Sequence, residues 1–252
     1  LDILEVREVF ERASEVLEID LVHLVKEGSA EEVNDTFNAQ ALTMVLTVAI
    51  GKALMAQGKK PDALIGFSLG EISALALAGI LSLDDAFKLL KVRASAMAEA
   101  CQQREGAMLA LLAASHEDAE AVCEACAGED ILLPANFNCP GQVVLSGDAA
   151  AIERAEAHWK GMKKKCARLK TAGGFHSPLM TSASEALANY FEGSDAPVFN
   201  EAEITLICNT DAAPFVVSEA AERLSAQVIS PVLFEQGVNY LIDKGENEFV
   251  EI

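Results

Sequence analysis

Ala63-Leu64-Ile65 runs straight into Gly66-Phe67-Ser68-Leu69-Gly70, and Glu71-Ile72-Ser73-Ala74-Leu75-Ala76-Leu77-Ala78 follows. The short apolar run reads as a buried strand, and the alanine- and leucine-rich run after it as a helix. Between them a G-x-S-x-G pentapeptide flanks Ser68 with glycines, so that the backbone can make a sharp strand-to-helix turn and lift the serine onto it. The helix that follows aims its first free N–H groups and the positive end of its dipole at that turn. A tetrahedral oxyanion would be stabilised there, with the Leu69 amide as one donor. The plain alternative is a glycine-flanked turn with no chemistry.

Upstream the signals are helical. Leu4, Val9, Phe10, Ala13, Val16 and Leu17 recur at helical spacing, and Ser29 with Glu32 forms a capping box for a short second helix. The most apolar helix, residues 39–56, is broken by Thr43, Thr47, Gly51 and Lys52 and reads as a core helix short of a membrane span. Downstream, Ser82 with Asp85 caps a long helix to about Gln103. The middle then changes character. Strands are predicted at 107–113, 131–138, 142–146 and 166–169, with helices capped by Ser115/Asp118 and by Asp148 between them. The order βαββαβ is the ferredoxin-like pattern. It reads as an insertion, because helices at 178–191, 219–228 and 233–243 and strands at 204–208 and 249–252 resume afterwards. The predicted organisation is therefore a large α/β domain in two parts, 1–105 and 172–252, around a small domain at 106–171.

Composition excludes several function classes. Of 252 residues, 51% are hydrophobic, enough for a substantial core, and the net charge of −20 argues against nucleic acid or an anionic membrane as partner. Six cysteines are scattered without the spacing of a disulfide framework. Cys123-x-x-Cys126 lies in a predicted helix and lacks two further zinc ligands, so both read as small buried hydrophobes and no metal is expected. Reduced thiols and the lack of a visible targeting segment lead to the expectation of a cytoplasmic protein.

A serine nucleophile needs a base, and the chain has four histidines. His23 and His158 fall in predicted helices and His116 in a first helical turn, where surface positions are usual. His176 lies in Gly173-Gly174-Phe175-His176-Ser177-Pro178, a loop before a helix where the small domain rejoins the large one, and is well placed to face a cleft. Arg93 falls inside the apolar arc of its helix, between Leu89 and Ala86 viewed down the axis, with Lys88, Lys91 and Glu99 opposite. A guanidinium on a core-facing stripe needs an anion. Two readings stand: a structural ion pair with an Asp or Glu, or a bidentate clamp for a substrate carboxylate.

Together these residues resemble the malonyl-CoA:acyl-carrier-protein transacylases and the related acyltransferase domains of fatty-acid and polyketide synthases. The likeness runs from about Glu5 to Ile252. Gly66-Phe67-Ser68-Leu69-Gly70-Glu71 is similar to the family's nucleophile motif, Val92-Arg93 with Met97 to its arginine motif, and Phe175-His176-Ser177 to its histidine motif. Asn136-Phe137-Asn138-Cys139-Pro140-Gly141-Gln142-Val143-Val144 resembles its signature in the small domain. The resemblance implies an α/β hydrolase-like large domain with a parallel sheet and an inserted ferredoxin-like domain. It also implies that Ser68 is acylated, that His176 is general base and acid, and that Arg93 holds the free carboxylate of malonate. No third carboxylate is implied: a backbone carbonyl, at the position matched by Gln227, orients the histidine. Phe175 matches the family's usual malonyl pattern. Coenzyme A thioester and acyl carrier protein are the implied partners, and no cofactor is implied beyond malonyl-CoA as substrate.

The sequence departs from the family at Phe67, where histidine is usual. The family also places a strand and a glutamine-bearing loop ahead of the position of Leu1 and a Gly-Pro-Gly loop after that of Ile252. A serine hydrolase of the α/β-hydrolase type would place an acid between serine and histidine and have no need of Arg93; a patatin-like lipase would leave His176 idle. A non-catalytic carrier-docking module is the alternative from another class. Carrier proteins of this family's pathway are acidic, and the one dense basic run is Lys160, Lys163, Lys164, Lys165, Arg168 and Lys170. It reads either as a carrier-docking patch beside the cleft, with Lys163, Lys164, Lys165 and Arg168 at its centre, or as a solvated helix end.

Overall fold

The helical periodicity at the start is realised in α1 (Leu4–Leu17), which buries Val9, Phe10, Ala13 and Leu17. The computed structural model describes residues 3–252. Asp20 caps α2 (Leu21–Glu27) by accepting from the His23 amide, and Ser29 and Glu32 close a reciprocal capping box at α3 (Ala30–Asn34). Asp35 accepts from the Phe37 and Asn38 amides and so starts α4 (Thr36–Ala56) at Thr36 rather than Ala39. At 21 residues α4 has the length and apolar composition to cross a membrane, which the shorter reading denied it. Here it lies in the core: Ala41, Met44, Val45, Val48 and Ala49 are fully buried.

β1 (Ala63–Ile65) leads through the glycine-flanked turn into α5 (Leu69–Leu77), and Ser82 caps α6 (Leu83–Gln103). Then come β2 (Gly106–Ala114), α7 (His116–Cys126), β3 (Leu132–Cys139), β4 (Gly141–Asp148), α8 (Ala149–Gly161) and β5 (Cys166–Arg168). These strands form an antiparallel sheet in the order β3-β4-β2-β5, the ferredoxin-like arrangement. Strand alternation splits its side chains between two cores. Leu109, Leu111, Val143 and Leu145 face α7 and α8 around the fully buried Trp159, whose indole N–H donates to the Lys165 carbonyl. Met108, Ala110 and Val144 face the other way with Ala135, and against them pack Leu169 and Phe175.

After a short 3-10 turn at Pro178–Met180 come α9 (Thr181–Glu192), β6 (Thr205–Ile207), α10 (Ala220–Gln227) and α11 (Phe234–Asp243). β6 lies parallel to β1, pairing Ala63 with Thr205 and Ile65 with Ile207. The two units are stitched together by backbone: Val232 N–H donates to Ala135 and Phe137 N–H to Val232. His116, whose side chain is 40% exposed as its first-turn position leads one to expect, adds a side-chain tie: it lies 3.2 Å from the Glu235 carboxylate, with its ring tilted 60° to that of Phe137.

Two expectations are corrected. Asp148 does not cap α8 with its side chain, because its carboxylate is taken by Arg104 and by the Ile131 amide. Phe249–Ile252 is not a strand. A strand needs a ladder partner, and these residues have none among the described residues; Phe249 and Val250 are exposed.

Candidate active site

β1 and β6 run parallel and end side by side, so the residues just past them meet although they are far apart in sequence. Past β1 the chain turns at Ser68 with φ 52° and ψ −103°. Gly66 is sterically required there: a Cβ would sit 2.1 Å from the Gly70 carbonyl carbon, whereas at Gly70 a Cβ meets nothing within 4 Å. Past β6, Asn209 holds the turn. Its Oδ1 accepts from the Ser68 amide at 2.7 Å and its Nδ2 donates to the Gly66 carbonyl at 2.6 Å. The Leu69 amide, first in α5, has no acceptor among the described residues and is free to donate to an oxyanion.

The small sheet supplies the other wall. Phe175 packs both on its inner face and on the main core, and this fixes the loop that carries His176. His176 is buried, and its amide donates to the Val228 carbonyl. Its Nε2 lies 2.8 Å from Ser68 Oγ, and its Nδ1 lies 3.0 Å from the Gln227 carbonyl and 3.2 Å from that of Ser230. Carbonyls only accept, so Nδ1 carries the proton and Nε2 is left to accept from the serine hydroxyl. Burial, and then the nearby Arg93 charge, press the imidazole pKa down to about 4, against the two carbonyls, which favour the cation. The ring is therefore neutral at pH 7, the state a general base needs.

Arg93 points inward from α6 at 4% exposure. Its Nη2 donates to Ser68 Oγ at 2.9 Å and to Gln227 Oε1 at 3.2 Å, while its Nε has no partner. No carboxylate lies within 4.0 Å of the guanidinium among the described residues. Burial lowers its pKa to about 10, partly offset by Glu71, so it stays charged at neutral pH. Glu71 is one residue removed, with the Gln227 side-chain amide between them. A cavity of about 310 Å³ is lined by Gln40, Met97, Cys101 and Phe175 among others, and of the site residues Phe175 alone borders it.

Ser68, Leu69, Arg93, Phe175, His176 and Gln227 are thus brought together. The basic run is not one field of free charge. Lys160 pairs with Glu156, Lys164 with Asp118, and Arg168 with Glu153, whereas Lys163, Lys165 and Lys170 have no counter-ion among the described residues. Phe67 is 41% exposed and meets Phe234 edge-on at 5.5 Å. Two polar members went unread in the sequence, Asn209 and the carboxylate of Glu71. The signal for Asn209 was its place directly after a strand that pairs with β1, visible only once the pairing is known.

Residues 3–252 match the acyl transferase domain family. The malonyl CoA-acyl carrier protein transacylase of Bacillus subtilis is 38% identical over 251 residues, covering 98% of this chain and 78% of that protein. Its Escherichia coli (strain K12) counterpart is 34% identical over 254 residues, covering 98% and 80%. Among solved structures, the malonyl CoA-acyl carrier protein transacylase of Coxiella burnetii superposes with a TM-score of 0.91 at 31% identity, covering 97% of this chain and 77% of that one. A malonyl-transacylase in complex with its type II PKS acyl-carrier protein gives 0.90 at 32% identity, covering 97% and 79%. A serine poised on a positive-φ turn, a neutral histidine and an unpaired buried arginine thus sit in a chain that belongs to the acyl transferase domain family.

Proposed function

We propose that this chain moves a malonyl group from coenzyme A to the phosphopantetheine thiol of an acyl carrier protein through a Ser68 ester. The observation that carries the reading is Arg93: a buried, charged guanidinium beside the nucleophile with no carboxylate of the described chain in contact to neutralise it. Such a group is costly to hold empty and suits an acyl group that brings its own carboxylate. The names of the relatives support the same substrate and partner.

The chemistry balances in two halves. Ser68 gives its hydroxyl proton to His176 Nε2 as Oγ attacks the thioester carbonyl, and the oxyanion accepts from the Leu69 amide. The C–S bond breaks, and the departing thiol takes the proton from His176. In the second half the carrier's thiol gives its proton to His176, its sulfur attacks the ester, and Ser68 leaves with the proton restored. The Gln227 and Ser230 carbonyls keep the imidazole oriented throughout. No cofactor enters these steps, since the coenzyme A thioester is a substrate. Six unpaired cysteines fit a reducing, cytoplasmic setting for this reaction.

Intact-mass measurement after mixing with malonyl-CoA tests the proposal. A malonyl adduct on Ser68 that discharges onto added carrier protein is expected. Free malonate without discharge to the carrier would make the chain a hydrolase, and neither adduct nor malonate a docking module.

A further inference from the structure

Glu71 is 1% exposed and sits within the site, yet no step above uses it. Burial pushes the Glu71 carboxyl above its ordinary range, while the Asn209 amide, the Gln227 side chain and the Arg93 charge favour its ionised form. A buried carboxylate is tolerated only when its oxygens are satisfied, and the geometry here is that of the ionised form. Here Oε1 accepts from the Asn209 backbone amide at 2.8 Å, and Oε2 accepts from the side-chain amide of Gln227. Each of those partners has a second task. Asn209 clamps the Ser68 turn, and Gln227 accepts from Arg93 at Oε1 and from His176 Nδ1 at its backbone carbonyl.

The two ends of a side-chain amide have nearly the same shape, and only the neighbours decide which end points where. A carboxylate only accepts, so it draws the NH2 end of Gln227 toward itself, where that group also reaches the Ser68 carbonyl at 3.1 Å. The oxygen end is thereby turned to Arg93, which only donates. The consequence is electrostatic. The negative charge that supports Arg93 is held one residue away, and the group touching the guanidinium is a neutral acceptor. A carboxylate in direct contact would fill the place a substrate carboxylate has to take.

We propose that Glu71 is a positioning residue that sets selectivity for a carboxylated acyl group: through Gln227 it aims Arg93 and keeps the guanidinium free of a direct counter-ion. The proposal rests on the malonyl-transfer reading and goes beyond it by assigning selectivity to a residue that does not touch the substrate.

Glu71→Gln keeps the shape and can still accept from the Asn209 amide, so the Ser68 turn survives. Its new NH2 group faces the NH2 of Gln227, which must turn its amide over and present a donor to Arg93. Ser68 acylation should then be followed with malonyl-CoA and acetyl-CoA as separate donors. Malonylation should fall roughly 10- to 100-fold, mostly through KM, the fold-change of losing a hydrogen bond to a charged group. Acetylation should stay within about threefold of wild type, since the acetyl group makes no demand on Arg93. Equal loss with both donors, or no loss with either, would overturn the proposal. If Glu71→Gln does not fold, the double variant Glu71→Gln/Gln227→Glu decides. It exchanges the amide and the carboxylate, so the new amide can donate to the new carboxylate, which then pairs directly with Arg93. In a folded chain of this kind malonylation should fall by a larger factor than acetylation, so that the malonyl-to-acetyl ratio drops. Wild-type malonyl preference in that variant would overturn the proposal. A wild-type chain that acquires neither group would instead remove the transferase reading, and the assignment of Glu71 with it.

Discussion

Ser68 and His176 both hold positive φ, 52° and 57°, and their Oγ and Nε2 atoms lie 2.8 Å apart. Non-glycine residues in such backbone cost about 1–3 kcal/mol each and persist only where the surroundings over-determine them. Here the surroundings are named: Asn209 and Gly66 hold one turn, and the Val228 carbonyl and the packed ring of Phe175 hold the other. Ser68→Ala should therefore abolish the acyl adduct while leaving the melting temperature close to wild type. His176→Ala should slow adduct formation by several orders of magnitude, because the hydroxyl loses its one acceptor of a proton among the described residues. Quenched intact-mass kinetics measure both, and normal acylation of either variant would refute the pairing.

The acid limb of the reaction should lie well below the usual histidine range. Burial first, and then Arg93, lower the His176 pKa from 6.5 to about 4, so the neutral base persists down to that region. Acylation at pH 5.5 should nearly match that at pH 7. Between the two values the unfolded chain binds a proton that the folded one does not, so His176 contributes stability that is full above about 6.5 and lost as pH falls through about 4. Removing Arg93 should move the limb upward yet leave it short of 6.5, because burial is the larger cause. Rate profiles of the adduct burst in wild type and Arg93→Ala read this directly; a wild-type limb near 6.5 would show that the ring is not desolvated.

Arg93→Ala should separate donors. Truncating one side of a desolvated charge pair costs about 2–5 kcal/mol, so malonyl transfer should fall by roughly one and a half to three and a half orders of magnitude. Acetyl transfer, which has no carboxylate to lose, should hold or rise. Parallel loss with both donors would make Arg93 a structural residue.

The two glycines around Ser68 should differ sharply. In Gly66→Ala the new methyl would overlap the Gly70 backbone, so the turn cannot close, and the melting temperature and acylation should both drop. Gly70→Ala meets open space within a helix and should keep or gain stability, by up to about 1 kcal/mol. Equal melting shifts in the two variants would contradict the geometry of the turn.

What the sequence discloses is local. The Ser29/Glu32 and Ser115/Asp118 capping boxes, the helical phase that turns Arg93 inward, and the βαββαβ order are all set by residues a few positions apart. Asn209 was illegible for the opposite reason: it meets Ser68 across 141 residues, and only the parallel pairing of β1 with β6 brings it there. The Asp148 reading failed through competition, since a distant arginine and a strand amide took the carboxylate that a cap would have used. The Phe249-Val250-Glu251-Ile252 segment has strand composition, but composition supplies no partner.

The basic run gives the last prediction, which the ion pairs sharpen. Lys164 lies over the Trp159 ring at 4.2 Å and bonds Asp118 at 3.0 Å, and Arg168 reaches Glu153 at 3.5 Å, so these two are engaged within the small unit. Lys163, Lys165 and Lys170 have no counter-ions among the described residues. We propose these three as the contacts for an acidic carrier protein, on a chain whose net charge of −20 otherwise repels it. Charge attraction of this kind acts mainly on encounter and is screened by salt. Lys163→Glu with Lys165→Glu and Lys170→Glu should therefore slow discharge to the carrier by roughly an order of magnitude or more at low salt, with the difference shrinking as salt is added. Acylation by malonyl-CoA should fall less, because coenzyme A carries fewer charges than a protein surface. Lys164→Glu alone should instead lower the melting temperature, since it breaks the contacts to Asp118 and Trp159. Equal effects of the triple change on both half-reactions, or none on either, would leave the three lysines as solvated surface.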